Sequence, residues 1–340
     1  MKNGIKQIAK RVGVSPATVS RALNAKGHCS KELSNQILAT AKEMNYVPNV
    51  VARNLKRSST NIIGVIVPDI SESFFSNVVK GIDSQFARHG YKMFLCNTNE
   101  DIKTEKNYVN TLYENRVDGI IIATVRNNIP EDDTIFTGEI PAVFIDNLPS
   151  NSSHFDCVTS DNFSAGKNAA EYLIKMGHRD IAAIMGKQTE TTGRERFEGF
   201  KSALEEHNIP LNERLYKFAD FKELSAAQKM NELLKNEKFT ALFVASSQMT
   251  FGVLRVLKEA GKTAPDDISI LGFDIENTYN FMVPSITSVI QQSVIMGSSA
   301  ASLLYRKIKG SEKFAYNRIM LETQLCTRES VKNLNTKDSL

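Results

Sequence analysis

The sequence predicts a short all-α domain followed by two α/β lobes, each built on a doubly wound parallel sheet. Three observations support this fold class. Apolar residues recur at helical spacing within the first 60 residues, short apolar strands alternate with helices from residue 61 onward, and this alternation occurs twice. A chain of 340 residues is long enough for two or three domains with sizeable cores.

The first 24 residues predict two short helices separated by a tight turn. Apolar residues lie at helical spacing from Ile5 to Val12, and Gly13 can adopt the positive φ that the turn needs. Ser15 and Pro16 suit the N-cap and N1 positions of the second helix. This arrangement is typical of a helix-turn-helix, whose second helix enters the DNA major groove. An ordinary surface hairpin of helices is the alternative.

The second helix is predicted to bury Val19, Ala22 and Leu23 and to expose small residues that end in an arginine. Small side chains allow a close approach to DNA, and a guanidinium matches the guanine edge. The predicted DNA contacts of this segment are Ser15, Pro16, Ala17, Thr18, Ser20, Arg21 and Asn24.

Positive charge is concentrated in the same segment. Residues 1–60 hold eleven Lys and Arg against two acidic residues, whereas the rest of the chain holds 31 basic and 36 acidic residues. Such an asymmetry is the electrostatic footprint of a domain that contacts phosphates.

Two further helices complete the predicted domain of residues 1–58. Residues 34–44 form one, with Ile37, Leu38, Ala41 and Met44 facing inward. A short hinge helix over 49–57 follows Pro48 and carries basic residues around Leu55. Isolated helices this short are marginal, so we expect it to become ordered on DNA.

From residue 61 the pattern predicts an N-lobe of about 61–160 plus 291–322 and a C-lobe of about 161–290 plus 323–330 within a core of 61–340. A helix over 294–309 and a strand over 318–325 are predicted to return to the N-lobe. The other predicted strands are 62–67, 91–95, 119–122 and 142–145 in the N-lobe and 181–185, 216–219, 241–244 and 268–271 in the C-lobe.

Ligands of open α/β sheets bind beyond the carboxyl ends of the strands. Aromatic and polar side chains at these ends suit a small polar ring, although Phe74 or Phe75 could be core and Asp146 a helix cap. The residues are Asp69, Phe74, Phe75, Thr124, Asp146, Lys187, Phe221, Ser246, Ser247 and Asp274.

Several functional classes find no support in the sequence. The four cysteines are scattered, so neither a zinc site nor a disulfide framework is expected, and no apolar run is long enough to cross a membrane. No catalytic triad or phosphate-binding loop is apparent, and His178 is predicted to stabilise a turn. We therefore expect a cytoplasmic protein without cofactor or metal.

The chain resembles the lactose-repressor (LacI) family of bacterial transcription regulators over nearly its whole length. The segments that carry the resemblance are 14–21 for the recognition helix, 46–49 and 52–55 for the hinge, and 177–179, 196–200, 271–274 and 327–330 for the core.

The resemblance implies a homodimer, with a tetramer as an alternative, on a pseudo-palindromic operator. It implies hinge contacts from Ala52 and Leu55, the latter wedged into the minor groove. A ligand between the lobes would shift them and thereby the hinge.

The lobes also resemble periplasmic ribose-binding proteins, which implies effector contacts from residues of both lobes. Two departures argue against ribose itself: Ser246-Ser247 stands where relatives often carry Asn-Asp, and Glu72-Ser73 replaces Asn-Pro. The nearby basic residues Lys187 and Arg194 suggest that the effector is a sugar acid or a phosphorylated sugar. The alternative is that both residues form ion pairs on the protein surface. The expected effector residues are Phe74, Phe75, Asp146, Thr192, Arg196, Phe221, Ser246, Asp274 and Gln291.

The function predicted from these features is a DNA-binding repressor of carbohydrate-utilisation genes, controlled by a sugar or sugar derivative. A global regulator of the catabolite-control type, governed mainly by a partner protein, is the alternative. A sugar-processing enzyme is disfavoured because no catalytic set is present.

Overall fold

The computed structural model describes residues 4–23, 29–46, 59–135, 139–276, 283–310 and 316–335. The chain forms two compact units, Met1–Ser59 and Thr60–Leu340. Within the described residues, no helix combines the length and the apolar character that a membrane span requires.

The N-terminal unit contains the predicted helix-turn-helix. Gly13 takes a φ of 76° at the end of the first helix, and the hydroxyl of Ser15 accepts a hydrogen bond from the Thr18 amide at 3.1 Å. Ile8, Val19 and Ile37 form a fully buried core. The helices are α1 (Ile5–Val12), α2 (Pro16–Leu23) and α3 (Lys31–Glu43).

Helix α3 departs from the prediction in two respects. It begins at Lys31 because the Ser30 hydroxyl caps the Leu33 amide at 3.3 Å. Leu38 does not face inward: 49% of its surface is exposed, because Ile37, Thr40 and Ala41 occupy the inner stripe. Asn24, Ala52, Leu55 and the predicted hinge helix over 49–57 lie outside the described residues.

The N-lobe is a six-stranded sheet in the order β11-β5-β4-β3-β1-β2, and all its strand pairs are parallel. Strand β2 lies at the edge and exposes Phe94 and Leu95. The elements are β1 (Ile62–Val67), α4 (Ser73–Ala87), β2 (Lys92–Asn97), α5 (Ile102–Glu114), β3 (Gly119–Ile122), β4 (Ala142–Ile145), β5 (Asp156–Ser160), and, from later in the chain, α10 (Ser293–Ile308) and β11 (Arg318–Leu321).

The C-lobe sheet has the equivalent order, β12-β10-β9-β8-β6-β7, with β12 antiparallel to β10. Its elements are α6 (Asn162–Lys175), β6 (Ile181–Met185), α7 (Thr191–Glu206), β7 (Tyr216–Phe218), α8 (Glu223–Asn236), β8 (Ala241–Val244), α9 (Ser247–Glu259), β9 (Ser269–Phe273), β10 (Thr287–Ile290) and β12 (Gln324–Cys326).

Three strand predictions differ from the structure. The predicted strand over 318–325 is two strands, β11 in the N-lobe and β12 in the C-lobe. Strands β5 and β10 were not predicted because neither is a continuous apolar run: β5 begins and ends with polar residues, and β10 begins with two. Long-range hydrogen bonds accommodate part of this buried polarity: Asp156 accepts the Asn317 amide at 2.8 Å, and the Ser330 hydroxyl accepts the Thr287 amide at 2.8 Å.

His178 stabilises the turn after α6, as predicted. Its ring is buried, with Nδ1 at 2.9 Å from the Thr240 hydroxyl and Nε2 at 3.1 Å from the Lys332 carbonyl. The preceding Gly177 takes a φ of 93°, which suits glycine.

Helices α6 and α7 cross so closely that only glycine fits at the points of contact. A Cβ at Gly166 would lie 1.9 Å from the Arg196 carbonyl oxygen, and one at Gly199 would lie 1.9 Å from that of Phe163. In the N-lobe, Gly81 on α4 and Gly297 on α10 pack in the same way against opposing carbonyls. The crossing in the C-lobe fixes the helix that carries Arg196.

We expect Gly199→Ala to destabilise the protein by about 1–3 kcal/mol, because the added methyl meets rigid backbone. This loss outweighs the roughly 1 kcal/mol that alanine gains over glycine in a helix. Urea unfolding measures the difference, with Ser202→Ala on the same helix as a control. A variant as stable as the wild type would contradict the close crossing.

Candidate functional site

The predicted base-reading residues lie on or beside α2. Pro16, Ala17 and Arg21 are exposed, and Thr18 and Ser20 are partly exposed. The Nε of Arg21 donates to the Ala17 carbonyl at 3.4 Å, which leaves the outer nitrogens of the guanidinium available. The surface of α2 therefore has the small residues and the long donor that major-groove reading requires.

A single cleft between the two lobes brings together all nine residues expected to contact the effector. Its volume is about 610 Å³, including space open to solvent. Thr124 and Ser247 also line it, whereas Asp69 lines an adjoining cavity. The nine are Phe74, Phe75, Asp146, Thr192, Arg196, Phe221, Ser246, Asp274 and Gln291.

Asp146 and Asp274 occupy equivalent positions in the two lobes. Each directly follows the third strand of its sheet, β4 or β9, and each has a positive φ, 61° and 54°. Each amide donates to the neighbouring strand, to Val158 at 3.0 Å and to Val289 at 2.7 Å. Aspartate tolerates this backbone region better than most residues. The two carboxylates thus face one ligand space from opposite lobes.

Arg196 brings a buried positive charge to the cleft, with 4% of its surface exposed. Its Nε donates to the Asn162 side chain and its Nη1 to the Ala245 carbonyl, both at 2.8 Å. The guanidinium lies over the Phe273 ring at 3.7 Å from the centroid. These contacts hold the guanidinium group in place and leave its Nη2 for a ligand.

Phe221 supplies an aromatic wall of the cleft. A Cβ at Gly186 would lie 1.9 Å from the Phe221 Cζ, so only glycine leaves room for this ring. Phe221 itself has a φ of 67°, an unfavourable conformation for a bulky residue that costs on the order of 1–3 kcal/mol. Such a cost is typical of residues held in place for binding.

Burial and crowding of carboxyl groups disturb the titration of the site. Burial raises the pKa of Asp146 to about 6, against the opposing influence of Arg196, and burial also raises the pKa of Asp274. The pKa of Glu190 rises to about 7 and that of Glu72 to about 8, in both cases chiefly through burial. Burial lowers the pKa of Arg196, which Asp146 and Asp274 counteract.

Several contacts join the lobes across the cleft, including a hydrogen bond from the Leu148 amide to the Thr191 hydroxyl at 2.9 Å. Lys187 Nζ lies 2.6 Å from a Glu100 carboxylate oxygen, and the Asn77 side chain donates to Glu276 at 2.7 Å. The Asn147 side-chain oxygen accepts from the Thr191 amide at 2.9 Å and from its hydroxyl at 2.8 Å. The two lobes are therefore in direct contact across the cleft.

Four polar residues of the cleft were missing from the predicted set: Glu72, Glu100, Asn147 and Glu190. Glu100 was missed because β2 extends to Asn97, whereas the prediction ended it at Leu95. Glu190 was missed because it directly precedes helix α7, which begins at Thr191, and does not directly follow a strand. Lys187, predicted near the ligand, instead pairs with Glu100 and Glu190 at 2.6 and 3.3 Å.

Among the described residues, no cluster of three His, Cys, Asp or Glu has the geometry of a metal site.

Comparison with known proteins agrees with both units. Residues 4–49 match "Bacterial regulatory proteins, lacI family", and residues 60–328 match "Periplasmic binding proteins and sugar binding domain of LacI family". The HTH-type transcriptional repressor PurR of Histophilus somni strain 129Pt is 34% identical over 334 residues, covering 97% of this chain and 99% of that protein.

Two solved structures with bound sugars are also similar. A transcriptional regulator CelR–cellobiose complex has 28% identity and a TM-score of 0.74, covering 96% of this chain and 99% of that one. A LacI-family regulator from Enterococcus faecium with bound ribose has 30% identity and a TM-score of 0.72, covering 81% and 100%. The chain belongs to the LacI family, and it is a DNA-binding transcriptional repressor with a small-molecule effector rather than an enzyme.

Proposed function

We propose that this repressor binds a pseudo-palindromic operator of carbohydrate-utilisation genes, and that a sugar or sugar derivative in the cleft controls this binding. The observation that carries the proposal is the convergence of effector residues from both lobes on one cavity. A ligand that touches both lobes favours one arrangement of them by its differential affinity, which can be coupled to DNA binding.

The chemistry of the cleft supports a sugar. Phenylalanine rings can cover the apolar faces of a sugar ring, and carboxylates accept its hydroxyl protons. The Nη2 of Arg196 donates in return. The similar structures with bound cellobiose and ribose are consistent with this assignment.

On the DNA side, we assign base and phosphate contacts to Ser15, Pro16, Ala17, Thr18, Ser20 and Arg21 of the recognition segment. Asn24, and Ala52 and Leu55 of the hinge, are assigned from the family resemblance alone, since they lie outside the described residues. Leu55 would enter the minor groove at the central base step, where an apolar wedge helps to kink DNA.

The proposed assembly is a homodimer located in the cytoplasm, with a tetramer as an alternative. Phe94 and Leu95 on the edge strand β2, and Val294 and Ile295 on α10, expose large apolar surfaces in the N-lobe. Unpaired strand edges with apolar side chains favour association, and a second copy would cover them.

Arg21→Ala should weaken operator binding by about 1–3 kcal/mol per contact and relax specificity at one base pair, because a bidentate guanine contact is lost. Fluorescence anisotropy with operator and random DNA measures both affinities. Arg11→Ala is the control, since Arg11 pairs with Glu43 at 3.1 Å on the surface of the same unit. An unchanged operator-to-random ratio in Arg21→Ala would refute the assignment.

At least one sugar in a panel of hexoses, pentoses and disaccharides should change operator affinity by roughly fivefold or more, the lower range of allosteric coupling. Thr192→Val, which removes a buried hydroxyl from the cleft, should raise the sugar concentration needed. Thr111→Val on the outer surface of α5 is the matched control. If no sugar changes operator affinity, control by a partner protein becomes the better account.

A further inference from the structure

Carboxyl groups outnumber cations along the cleft and the cavity that adjoins it. The cleft is lined by Glu72, Glu100, Asp146, Glu190 and Asp274, with Arg196 as its one lining cation among the described residues. The adjoining cavity, of about 550 Å³, shares Glu72 and Glu100 with the cleft and adds Asp69 and Glu223 against Lys222. A ligand therefore enters and occupies a strongly acidic space.

Apart from Nη2 of Arg196, the nearby cations are engaged by protein groups. Arg196 uses Nε and Nη1 on Asn162 and Ala245. Lys187 pairs with Glu100 and Glu190, and Lys222 lies 4.0 Å from Glu100. Among the described residues, the Glu72 carboxyl has no hydrogen-bond or ion-pair partner.

A second observation indicates that the ligand carries a hydrogen-bond donor. Gln291 lines the cleft with 6% of its surface exposed, and its Oε1 has no hydrogen-bond partner among the described residues. Its backbone amide and Nε2 donate to Asp274 at 2.9 and 2.6 Å. A buried acceptor without a donor is unfavourable, so this oxygen calls for a donor from a ligand.

Titration behaviour is consistent with a missing positive charge. The pKa of Glu72 rises to about 8 through burial and through the neighbouring carboxyl groups of Asp69, Glu100, Asp146 and Asp274. Arg196 interacts electrostatically with Glu72, but its single charge does not offset burial and four neighbouring carboxyl groups, so the cleft lowers its charge by keeping protons. A cationic ligand would supply the same compensation and displace a proton to solvent.

We propose that the effector is an amino sugar whose protonated primary amine is held by the carboxylate of Glu72, while Asp146 and Asp274 accept protons from its ring hydroxyls. This inference rests on the proposed control of operator binding by a sugar, and it narrows the effector from sugars in general to amino sugars. It replaces the sugar-acid or phosphorylated-sugar alternative, because an added anion would face five carboxyl groups and one guanidinium.

Binding of the sugar ammonium group is then accompanied by the release of one proton from the protein. The protonated carboxyl of Glu72 releases its proton to the buffer, and the ammonium group of the sugar pairs with the resulting carboxylate. At pH 6.5 the amine arrives charged, so we expect about one proton released per ligand bound. Calorimetry in two buffers of different ionisation enthalpy measures this number.

The discriminating experiment is calorimetry of the full-length protein with matched probes. Glucosamine, galactosamine and mannosamine are each compared with the parent sugar and with the neutral N-acetyl derivative. We expect one of the three amino sugars to bind at least about tenfold more tightly than its neutral partners, and the same sugar to change operator affinity.

Glu72→Gln should reduce this preference to within about threefold, because the amide keeps the shape of the side chain without its charge. Glu198→Gln on the outer face of α7 is the control. Neutral sugars bound as tightly as amino sugars by the wild type would overturn the amine assignment and leave sugar control intact. Absence of binding and of any operator response, both with these nine probes and with the wider panel of pentoses and disaccharides, would overturn both.

The stability of the ligand-free protein gives an independent test. As pH rises from 4.5 to about 8, an unfolded chain ionises Glu72 freely while the folded chain retains the proton, so this group costs more stability at higher pH. Glu72→Gln should therefore gain stability relative to wild type over this interval, as measured by urea unfolding. If the difference in free energy of unfolding between the two proteins did not change with pH, Glu72 would not be a buried carboxyl group without an ion-pair partner.

Discussion

The arrangement of the cleft depends on one buried guanidinium. An isolated charge in a protein interior is costly unless hydrogen bonds and opposite charges compensate it. Arg196 has this compensation from Asn162, from the Ala245 carbonyl and from the face of Phe273. It also attracts Asp146 of the N-lobe and Asp274 of the C-lobe, so its charge favours their approach.

The direct contacts across the cleft are too weak to determine its closure alone. The Lys187–Glu100 pair is partly exposed, and such pairs contribute about 0–1 kcal/mol. The Asn77–Glu276 and Asn147–Thr191 hydrogen bonds each contribute on the order of 1 kcal/mol. A ligand coupling of 1–3 kcal/mol is of the same size. The effector can therefore change the balance between lobe arrangements, which a stiffer interface would prevent.

Much of this architecture could be predicted from the sequence because it follows from short-range rules. Buried parallel strands appear as continuous apolar runs, and their carboxyl ends meet at one edge, which located Asp146, Phe221 and Asp274. Arg196 and Gln291 were identified only through the family resemblance, since neither directly follows a predicted strand. The polar strands β5 and β10 escaped prediction because their buried hydroxyl and carboxyl groups find partners that are distant in sequence.

The acidity of the cleft could not be predicted in the same way. Its carboxyl groups come from separate segments of both lobes. The early predicted end of β2 left Glu100 out of the predicted set, and Glu190 directly precedes a helix rather than following a strand. The raised pKa of Glu72 depends on burial and on four neighbours from four different segments. Such a property arises only when the two lobes close around one space.

The most direct test of the account is an operator titration of Arg196→Lys with and without an effector identified on the wild-type protein. Lysine keeps a positive charge near Asp146 and Asp274 but loses the planar fork. We predict that ligand-free operator affinity stays within about twofold of wild type, while the effector concentration needed for a response rises by at least about tenfold. An unchanged response at the wild-type effector concentration would contradict the central role of Arg196.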